Sequence, residues 1–210
     1  MAALRATGIA NETVLAAMLA VPRHVFVDAA FAPRAYDNAA LPIAYQQTIS
    51  QPWIVARMLA LALDAPSAAD FAKRRWLEIG TGCGYQAAIM AHCAAQVCSI
   101  ERIEGLHHVA AQHLALIGQT QVQLLHSDGA AGWPEASASS GFHAIVVAAA
   151  GLDIAPAWLQ QLAVGGRLVA PVGPAQGEQH LHVVDRLSAT EWRRSVQGAV
   201  QFVPLLAGVV

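Results

Sequence analysis

The chain has 210 residues, a net charge of −2 and a hydrophobic content of 56%. This length suits one α/β domain with a sizeable core. The charge balance and the lack of a basic stripe exclude a broad nucleic-acid-binding surface. No uninterrupted apolar run is long enough to span a membrane. We therefore expect a cytoplasmic, monomeric protein of one domain (residues 1–210), with neither nucleic acid nor membrane as a partner.

The first part of the chain, residues 1–64, is predicted to be a helical region that includes a loop for a substrate. The apolar stretch 14–21 has the composition of a signal peptide, but Arg5 alone supplies positive charge before it, and Asn11-Glu12 intervene. An amphipathic helix is therefore favoured over a cleaved leader.

A second helix is predicted shortly after Ser50. Ser50 precedes Gln51-Pro52 and an apolar run with helical spacing, which is typical of a helix with a serine N-cap and proline in its first turn. A helix N-terminus with a free hydroxyl is also a ready site for a carboxylate. The local pattern leaves both roles open for Ser50.

From about residue 75 to 210, strands and helices alternate, which predicts an α/β core with a doubly wound, mostly parallel sheet. The predicted elements are a strand ending at Ile79, a helix from Tyr85 to Ala91, a strand at 97–101, a helix near 104–117 capped by Gly118, a strand at 121–126, a strand from Phe142 to Ala150 and a short helix at 156–163. An Ala/Ser-rich loop is expected at 136–141, and segments 178–186 and 191–204 predict a hairpin at the sheet edge.

A glycine loop follows the first strand of this core. The bulky residues before it give way to Gly80, Gly82 and Gly84, and glycines at this spacing let the backbone turn sharply and approach a ligand closely. The next strand ends in Glu101, whose carboxylate can accept hydrogen bonds from ribose hydroxyls. This combination predicts a cofactor that contains a nucleoside.

Two cofactors compete for this loop. A dinucleotide fold favours G-x-G-x-x-G, whereas the third glycine comes one residue early here. Glu78, just before the loop, would repel a pyrophosphate but attract the sulfonium and amino groups of S-adenosylmethionine, directly or through water. We therefore favour S-adenosylmethionine over a dinucleotide, with an ordinary glycine turn as the structural alternative.

Asp128 and Gly129 follow the third predicted strand of the core. The Asp128 carboxylate could accept a hydrogen bond from the exocyclic amine of an adenine, or it could belong to a common Asp-Gly turn. Its place at the carboxyl end of a strand favours the adenine. No metal site is expected, because the three cysteines lack C-x-x-C spacing and His180 and His182 have no further ligands nearby.

Several motifs together resemble those of the protein-L-isoaspartate O-methyltransferase family, from about residue 12 to the C-terminus. They are Val21-Pro22-Arg23-His24-x-Phe26-Val27, Leu41-Pro42-Ile43, Thr48-Ile49-Ser50-Gln51-Pro52, Leu77 through Ala88, Ser99-Ile100-Glu101-Arg102 and Phe202-Val203-Pro204-Leu205. Many methyltransferases share the glycine loop. The Thr-Ile-Ser-x-Pro segment is far more specific to this family.

The resemblance implies a Rossmann-like, S-adenosylmethionine-dependent methyltransferase with an N-terminal helical cap. It would methylate the free α-carboxylate of L-isoaspartyl residues in damaged proteins and so initiate repair through a succinimide. Ser50 would be the active-site residue that orients this carboxylate, and Thr48, Ile49 and Ala148 would contact the substrate. The residues implied to bind the cofactor are Glu78, Gly80, Thr81, Gly82, Gly84, Glu101, Asp128 and Gly129.

The chain also departs from the family pattern. Ala44, Gln46 and Ser127 replace glycines, His143 replaces an aspartate, and Ala148 replaces a threonine. These positions concern substrate handling more than cofactor binding. They leave two alternatives open, a methyltransferase with a different acceptor and a cofactor-binding pseudoenzyme.

Overall fold

The computed structural model describes residues 1–65, 74–134 and 141–210. Its N-terminal part contains α1 (Ala2–Ala6), α2 (Glu12–Ala20), β1 (Leu41–Pro42), β2 (Thr48–Ile49) and α3 (Pro52–Leu63), with 3₁₀ turns at Arg23–Phe26 and Ala29–Arg34. The helix predicted near the N-terminus is confirmed as α2, which Asn11 caps by accepting a hydrogen bond from the Val14 N–H. Most of the predicted Ala/Ser-rich loop lies outside the described residues.

A seven-stranded sheet forms the centre of the molecule. Its strands are β3 (Arg75–Ile79), β4 (Gln96–Glu101), β5 (Val122–His126), β6 (Phe142–Val147), β7 (Leu162–Val172), β8 (Gln179–Arg186) and β9 (Trp192–Val200). They lie in the order β5-β4-β3-β6-β7-β8-β9. The first five strands in this order run parallel to one another. Strand β8 is antiparallel to β7, and β9 is antiparallel to β8. The mostly parallel sheet with an edge hairpin is therefore confirmed.

Three further helices follow strands of the sheet: α4 (Tyr85–Met90), α5 (Glu104–Leu116) and α6 (Pro156–Gln161). Alternate residues of β3 point into different layers, Trp76 toward the core under α3 and α4, and Leu77 toward the core under α6. Both faces of the central strands are thus buried, which explains the nearly continuous apolar sequence of β6.

Several predicted boundaries are corrected. The strand predicted from Phe142 to Ala150 ends at Val147, because the Ala150 N–H and carbonyl pair instead with Val203 and Leu205, each at 2.8 Å. Helix α6 ends at Gln161 and not at 163, since the chain passes directly into β7. The last strand ends at Val200 and not at 204.

The helix start after Ser50 also differs from its prediction. Gln51 occupies the N-cap position of α3 with an extended backbone, and Pro52 is the first helical residue. The Gln51 side chain does not cap the helix, and the Trp53 N–H in the first turn donates to Asn38 Oδ1 at 3.0 Å. The interpretation of Ser50 as the N-cap is therefore wrong. Its hydroxyl is not used to begin the helix.

Strands β1 and β2 form a short hairpin that the local pattern did not predict. Leu41 pairs with Ile49 and Pro42 with Thr48. At its tip, Tyr45 and Gln46 have φ values of 59° and 58°. Positive φ at both central residues is the backbone of a type I′ turn, which normally uses Asn-Gly. Side chains with a Cβ are strained there.

We expect Gln46→Gly to raise the free energy of unfolding by about 1 kcal/mol, because glycine adopts positive φ without the Cβ clash. The melting temperature should rise by about 2–4 °C for a chain of this size. Thermal unfolding followed by circular dichroism measures this, with Gln46→Ala as the control that keeps the Cβ. Equal stability of the two variants would show that the turn is not strained at Gln46.

Within the described ranges, no helix is long and apolar enough to cross a membrane. Residues 1–65, 74–134 and 141–210 also hold no group of three or more His, Cys, Asp or Glu side chains that could bind a metal ion. Cys83, Cys93 and Cys98 are buried and form no disulfide with one another. Gly118 follows the end of α5 with a φ of 68°, as expected of the residue that ends a helix.

Candidate active site

One cavity lies at the carboxyl ends of β3, β4 and β6, beside the N-terminal hairpin. This is the edge at which a parallel α/β sheet binds its ligands. The predicted site residues that line the cavity are Thr48, Ile49, Ser50, Gly80, Thr81, Gly82, Glu101, Gly129 and Ala148. Segments far apart in the sequence, the Thr-Ile-Ser motif and the glycine loop, therefore form one site. Glu78, Gly84 and Asp128 are not among its lining residues.

Glycine is needed at the three positions of the loop for different structural reasons. Gly80, Gly82 and Gly84 have φ values of 90°, 56° and 90°, a conformation that side chains rarely adopt. A Cβ at Gly84 would lie 3.3 Å from the Cβ of Ala110 on α5. Gly84 therefore allows close packing of the loop against α5, whereas Gly80 and Gly82 face the cavity.

Glu101 ends β4 as a fixed hydrogen-bond acceptor. Its side chain is 4% exposed. Oε2 accepts a hydrogen bond from the Gly82 N–H at 2.8 Å, and Oε1 accepts one from the Ile103 N–H at 3.0 Å. Each carboxylate oxygen keeps a second acceptor site. Glu101 thus both holds the glycine loop and offers oxygens to hydroxyl groups in the cavity.

Glu78 is fully buried and is not among the residues that line the cavity, so its predicted interaction with the cofactor, direct or through water, stays a prediction. Its Oε1 accepts a hydrogen bond from Gln86 Nε2 at 3.0 Å, and its Oε2 accepts one from Ser99 Oγ at 2.5 Å. Burial raises the pKa of Glu78 to about 8, and these hydrogen bonds oppose that rise. Ser99 in turn hydrogen-bonds Thr81 at 2.6 Å, and Thr81 lines the cavity. Glu78 therefore supports the glycine loop through Ser99 and Thr81.

Asp128 does not face the cavity either. Its Oδ1 accepts a hydrogen bond from the Ala130 N–H at 2.9 Å, as in the Asp-Gly turn that was the alternative interpretation. Its Oδ2 accepts one from the Gly208 N–H at 2.7 Å. Each carboxylate oxygen thus holds one backbone donor and, as in Glu101, keeps a second acceptor site. The role of Asp128 in holding an adenine stays a prediction.

Sequence reasoning missed part of the cavity wall. The C-terminal segment crosses the cavity, and its residues Val203, Pro204, Leu205 and Leu206 line it. The segment is fastened further along by the Gly208 carbonyl, which accepts a hydrogen bond from Arg102 Nε at 3.0 Å. The family motif around Phe202 marked this segment, but no local pattern indicated that it lines the same cavity as the glycine loop.

A second cavity adjoins the first. The two share Thr48, Ser50, Ala148 and Val203, so Ser50 lies at their junction. Further lining residues of the second cavity include Trp53, Ile54 and Phe202. A ligand group in one cavity can therefore meet a group from the other beside the Ser50 hydroxyl, with largely apolar surroundings.

The departures from the family pattern fall at different distances from this junction. Ala148 lines both cavities. His143 is remote, since its Nδ1 accepts a hydrogen bond from the Arg75 N–H at the opposite end of β3. Ala44 and Gln46 lie in the hairpin turn and line neither of these two cavities. Ala148 is thus the departure that changes the chemistry of the site itself.

Two solved structures share the fold. A Plasmodium falciparum protein assigned as a protein-L-isoaspartate O-methyltransferase (PCMT), crystallised in complex with S-adenosyl-L-homocysteine, superposes with a TM-score of 0.82 at 21% identity, covering 97% of this chain and 94% of that one. Another protein-L-isoaspartate O-methyltransferase also gives 0.82, at 24% identity, with 96% and 63% covered. At this identity the likeness establishes the Rossmann-like fold alone.

Curated relatives are closer in sequence. The protein-L-isoaspartate O-methyltransferase of Burkholderia pseudomallei strain 668 is 53% identical over 207 residues, covering 99% of this chain and 62% of the relative. That of Burkholderia thailandensis strain E264 is 52% identical over 207 residues, covering 99% and 61%. The chain thus spans about three fifths of the length of these relatives.

The family assignment rests on a match along nearly the whole chain. A family model described as protein-L-isoaspartate(D-aspartate) O-methyltransferase (PCMT) matches residues 1–209. This range includes the hairpin, the glycine loop and the C-terminal segment that together enclose the cavity. The chain therefore belongs to the protein-L-isoaspartate(D-aspartate) O-methyltransferase family.

Proposed function

We propose that this protein transfers a methyl group from S-adenosylmethionine to the free α-carboxylate of L-isoaspartyl residues in damaged proteins and peptides. The methyl ester then closes to a succinimide, which initiates repair. The observation that carries this proposal is the junction of the two cavities, where Ser50 lies beside the glycine loop and Glu101. Family membership supports the same reaction.

The residues present fit S-adenosylmethionine. Gly80 and Gly82 have positive φ and no side chain, so the cofactor can approach their backbone. Glu101 lines the cavity as a buried acceptor suited to ribose hydroxyls. We propose that Gly80, Thr81, Gly82, Glu101 and Gly129 contact the cofactor and that Asp128 accepts a hydrogen bond from its adenine. Glu78 and Gly84 support these residues from outside the cavity wall.

The proposed mechanism needs no strong base. When bound, S-adenosylmethionine supplies an electrophilic methyl group on a sulfonium. The substrate carboxylate is already ionised at neutral pH, given a reference pKa of about 4. Ser50 is placed to donate a hydrogen bond to one carboxylate oxygen and so aim the other toward the cofactor cavity, with Thr48 and Ile49 beside it. Catalysis is then mainly positioning within a site whose apolar walls exclude water.

Methyl transfer from labelled S-adenosylmethionine to a short isoaspartyl peptide tests the proposal, with the matched aspartyl peptide as control. Transfer to the isoaspartyl peptide alone is expected. Transfer to neither peptide, with S-adenosylhomocysteine binding intact, would favour a different acceptor or a cofactor-binding pseudoenzyme. Ala148 is the observation that keeps these alternatives in play, because the family's threonine hydroxyl is missing at the junction of the cavities.

We expect Ser50→Ala to lower kcat/KM for the isoaspartyl peptide by about 10- to 100-fold, because the carboxylate loses a hydrogen bond that orients it. Affinity for S-adenosylhomocysteine and the melting temperature should stay unchanged, since Ser50 does not cap α3. Steady-state kinetics, calorimetry and thermal unfolding measure the three quantities, with Ser195→Ala on exposed β9 as control. Unchanged turnover would remove Ser50 from the mechanism.

We further propose that residues 1–210 act as one domain, 1–64 contributing the substrate loop and 75–210 the cofactor core. In the same proposal the protein is a cytoplasmic monomer whose partners are isoaspartyl proteins, without nucleic acid or membrane. The net charge of −2 supports the exclusion of nucleic acid. Analytical ultracentrifugation with and without an isoaspartyl peptide tests the monomer.

A further inference from the structure

Tyr45, at the tip of the β1–β2 hairpin, lies against the first turn of α5. A Cβ built at Gly105 would lie 1.9 Å from the Tyr45 hydroxyl oxygen and 2.3 Å from its Cζ. The ring therefore occupies the space that any other residue at position 105 would fill. Tyr45 is 58% exposed, so burial in the core does not fix this ring. The ring lies at the surface, against Gly105.

The hairpin carries this contact to the substrate side of the site. The Ile43 N–H donates to the Gln47 carbonyl at 2.9 Å, and the Gln47 N–H donates to the Ala44 carbonyl at 3.2 Å. These bonds join the turn firmly to β2, where Thr48 and Ile49 line the cavity. The turn that carries Tyr45 is therefore hydrogen-bonded to the residue that directly precedes Thr48, Ile49 and Ser50.

Helix α5 carries the same contact to the cofactor side. Gly105 is the second residue of the helix. Ile103, the residue directly before the helix, donates its N–H to Glu101 Oε1 at 3.0 Å. Glu101 in turn holds Gly82 in the glycine loop. The pair Tyr45 and Gly105 thus links the segment that holds the substrate to the carboxylate that faces the cofactor.

The backbone of the turn is strained, so contacts around it help to hold it. Tyr45 and Gln46 both have positive φ, a conformation that is unfavourable for residues with a Cβ. Such conformations persist when surrounding contacts hold them. At position 105, glycine leaves room for the Tyr45 ring, whereas any residue with a Cβ would clash with it.

We propose that Tyr45 is a positioning residue of the methyl transfer: seated on Gly105, it sets the distance of Thr48, Ile49 and Ser50 from the cofactor cavity. Its kinetic consequence rests on the proposed function. The seating itself is a property of the hairpin and α5 and can be measured without any substrate.

A double-mutant cycle tests this inference with Tyr45→Ala, Gly105→Ala and the double variant in the full chain. Alanine is well tolerated in a helix, so Gly105→Ala should fold while displacing the Tyr45 ring. Each single variant should lower kcat/KM for the isoaspartyl peptide about 10-fold, and the double variant should lose no more than either single one, because both break the same contact.

Hydrogen exchange of the backbone amides at 46–50 provides the measurement that needs no turnover. Exchange should become about 10-fold faster in Tyr45→Ala and in Gly105→Ala, because the hairpin is released from α5. Tyr45→Phe keeps the ring and should restore at least half of kcat/KM. Tyr36→Ala is the matched control, since Tyr36 is also exposed, hydrogen-bonds His24 and lies outside the site.

Multiplicative losses in the double variant would overturn the inference, since Tyr45 and Gly105 would then act separately. Unchanged exchange at 46–50 in Tyr45→Ala would overturn it as well, whatever the kinetics. If the wild-type chain methylates no isoaspartyl peptide, the proposed function fails. The exchange measurement then decides the positioning role on its own.

Discussion

Glu101→Ala is expected to weaken S-adenosylhomocysteine binding by about 100-fold. Hydrogen bonds to a charged group contribute about 1.5–3 kcal/mol each, so loss of the acceptor for two ribose hydroxyls is worth roughly 3 kcal/mol. The Gly82 and Ile103 N–H groups also lose the carboxylate that they share. The loop should therefore become less ordered as well. Isothermal titration calorimetry measures the affinity.

Two further variants separate the charge of Glu101 from its shape. Glu101→Gln keeps one acceptor oxygen and should fall between wild type and Glu101→Ala in affinity. Glu104→Gln removes an exposed carboxylate three residues away and should leave binding unchanged. Wild-type affinity in Glu101→Ala would rule out the ribose assignment and leave Glu101 only its role in holding the loop.

Glu78→Gln is expected to remove a large pH dependence from the stability of the protein. Burial raises the pKa of Glu78 from 4.5 to about 8 in the folded state. Between these two values the folded state keeps a proton that the unfolded state releases. The free energy of unfolding therefore falls as the pH rises through this window, at roughly 1.4 kcal/mol per pH unit and by about 5 kcal/mol in total. Glutamine carries no ionisable proton and should remove this slope.

Urea unfolding at pH 5, 6.5 and 8 measures the effect. At pH 8 the glutamine variant should be more stable than wild type, because it buries no charge. Its amide oxygen can accept from Gln86, and its NH2 can donate to the Ser99 hydroxyl in place of the bond that Glu78 accepts. The comparison is between the slopes of the two proteins, because all other ionisable groups are common to both. Identical slopes for wild type and Glu78→Gln would mean that Glu78 is ionised in the folded protein.

Much of the fold was predictable because its signals are local. The apolar strand, the glycines and the helix after them are consecutive from Trp76 to Met90, and the structure has β3, the loop and α4 there. Glu101 was placed correctly at a strand end, since a β-strand followed by a helix is readable from periodicity. Parallel strands bring such ends to one edge of the sheet, which explains why Glu101 and Gly82 meet in the structure.

The hydrogen-bond partners of the acidic side chains were not predictable in this way. Glu78 was expected to face the cofactor, but its partner Ser99 lies on the neighbouring strand β4. Asp128 accepts from Gly208, which lies 80 residues later in the chain. Contacts of this kind depend on how remote segments pack, and neither residue's neighbours in the sequence carry that information.

The sequence by itself determined the order of the elements, the glycine loop, the acidic end of β4 and the family motif around Ser50, because each of these features depends on a short run of consecutive residues. The tertiary structure alone decided that Ser50 lies at the junction of two cavities instead of capping α3, that the C-terminal segment lines the same cavity as the glycine loop, and that Tyr45 lies against Gly105. The physical reason is that side-chain hydrogen bonds and close packing act across space, between segments whose separation in the sequence leaves no local pattern.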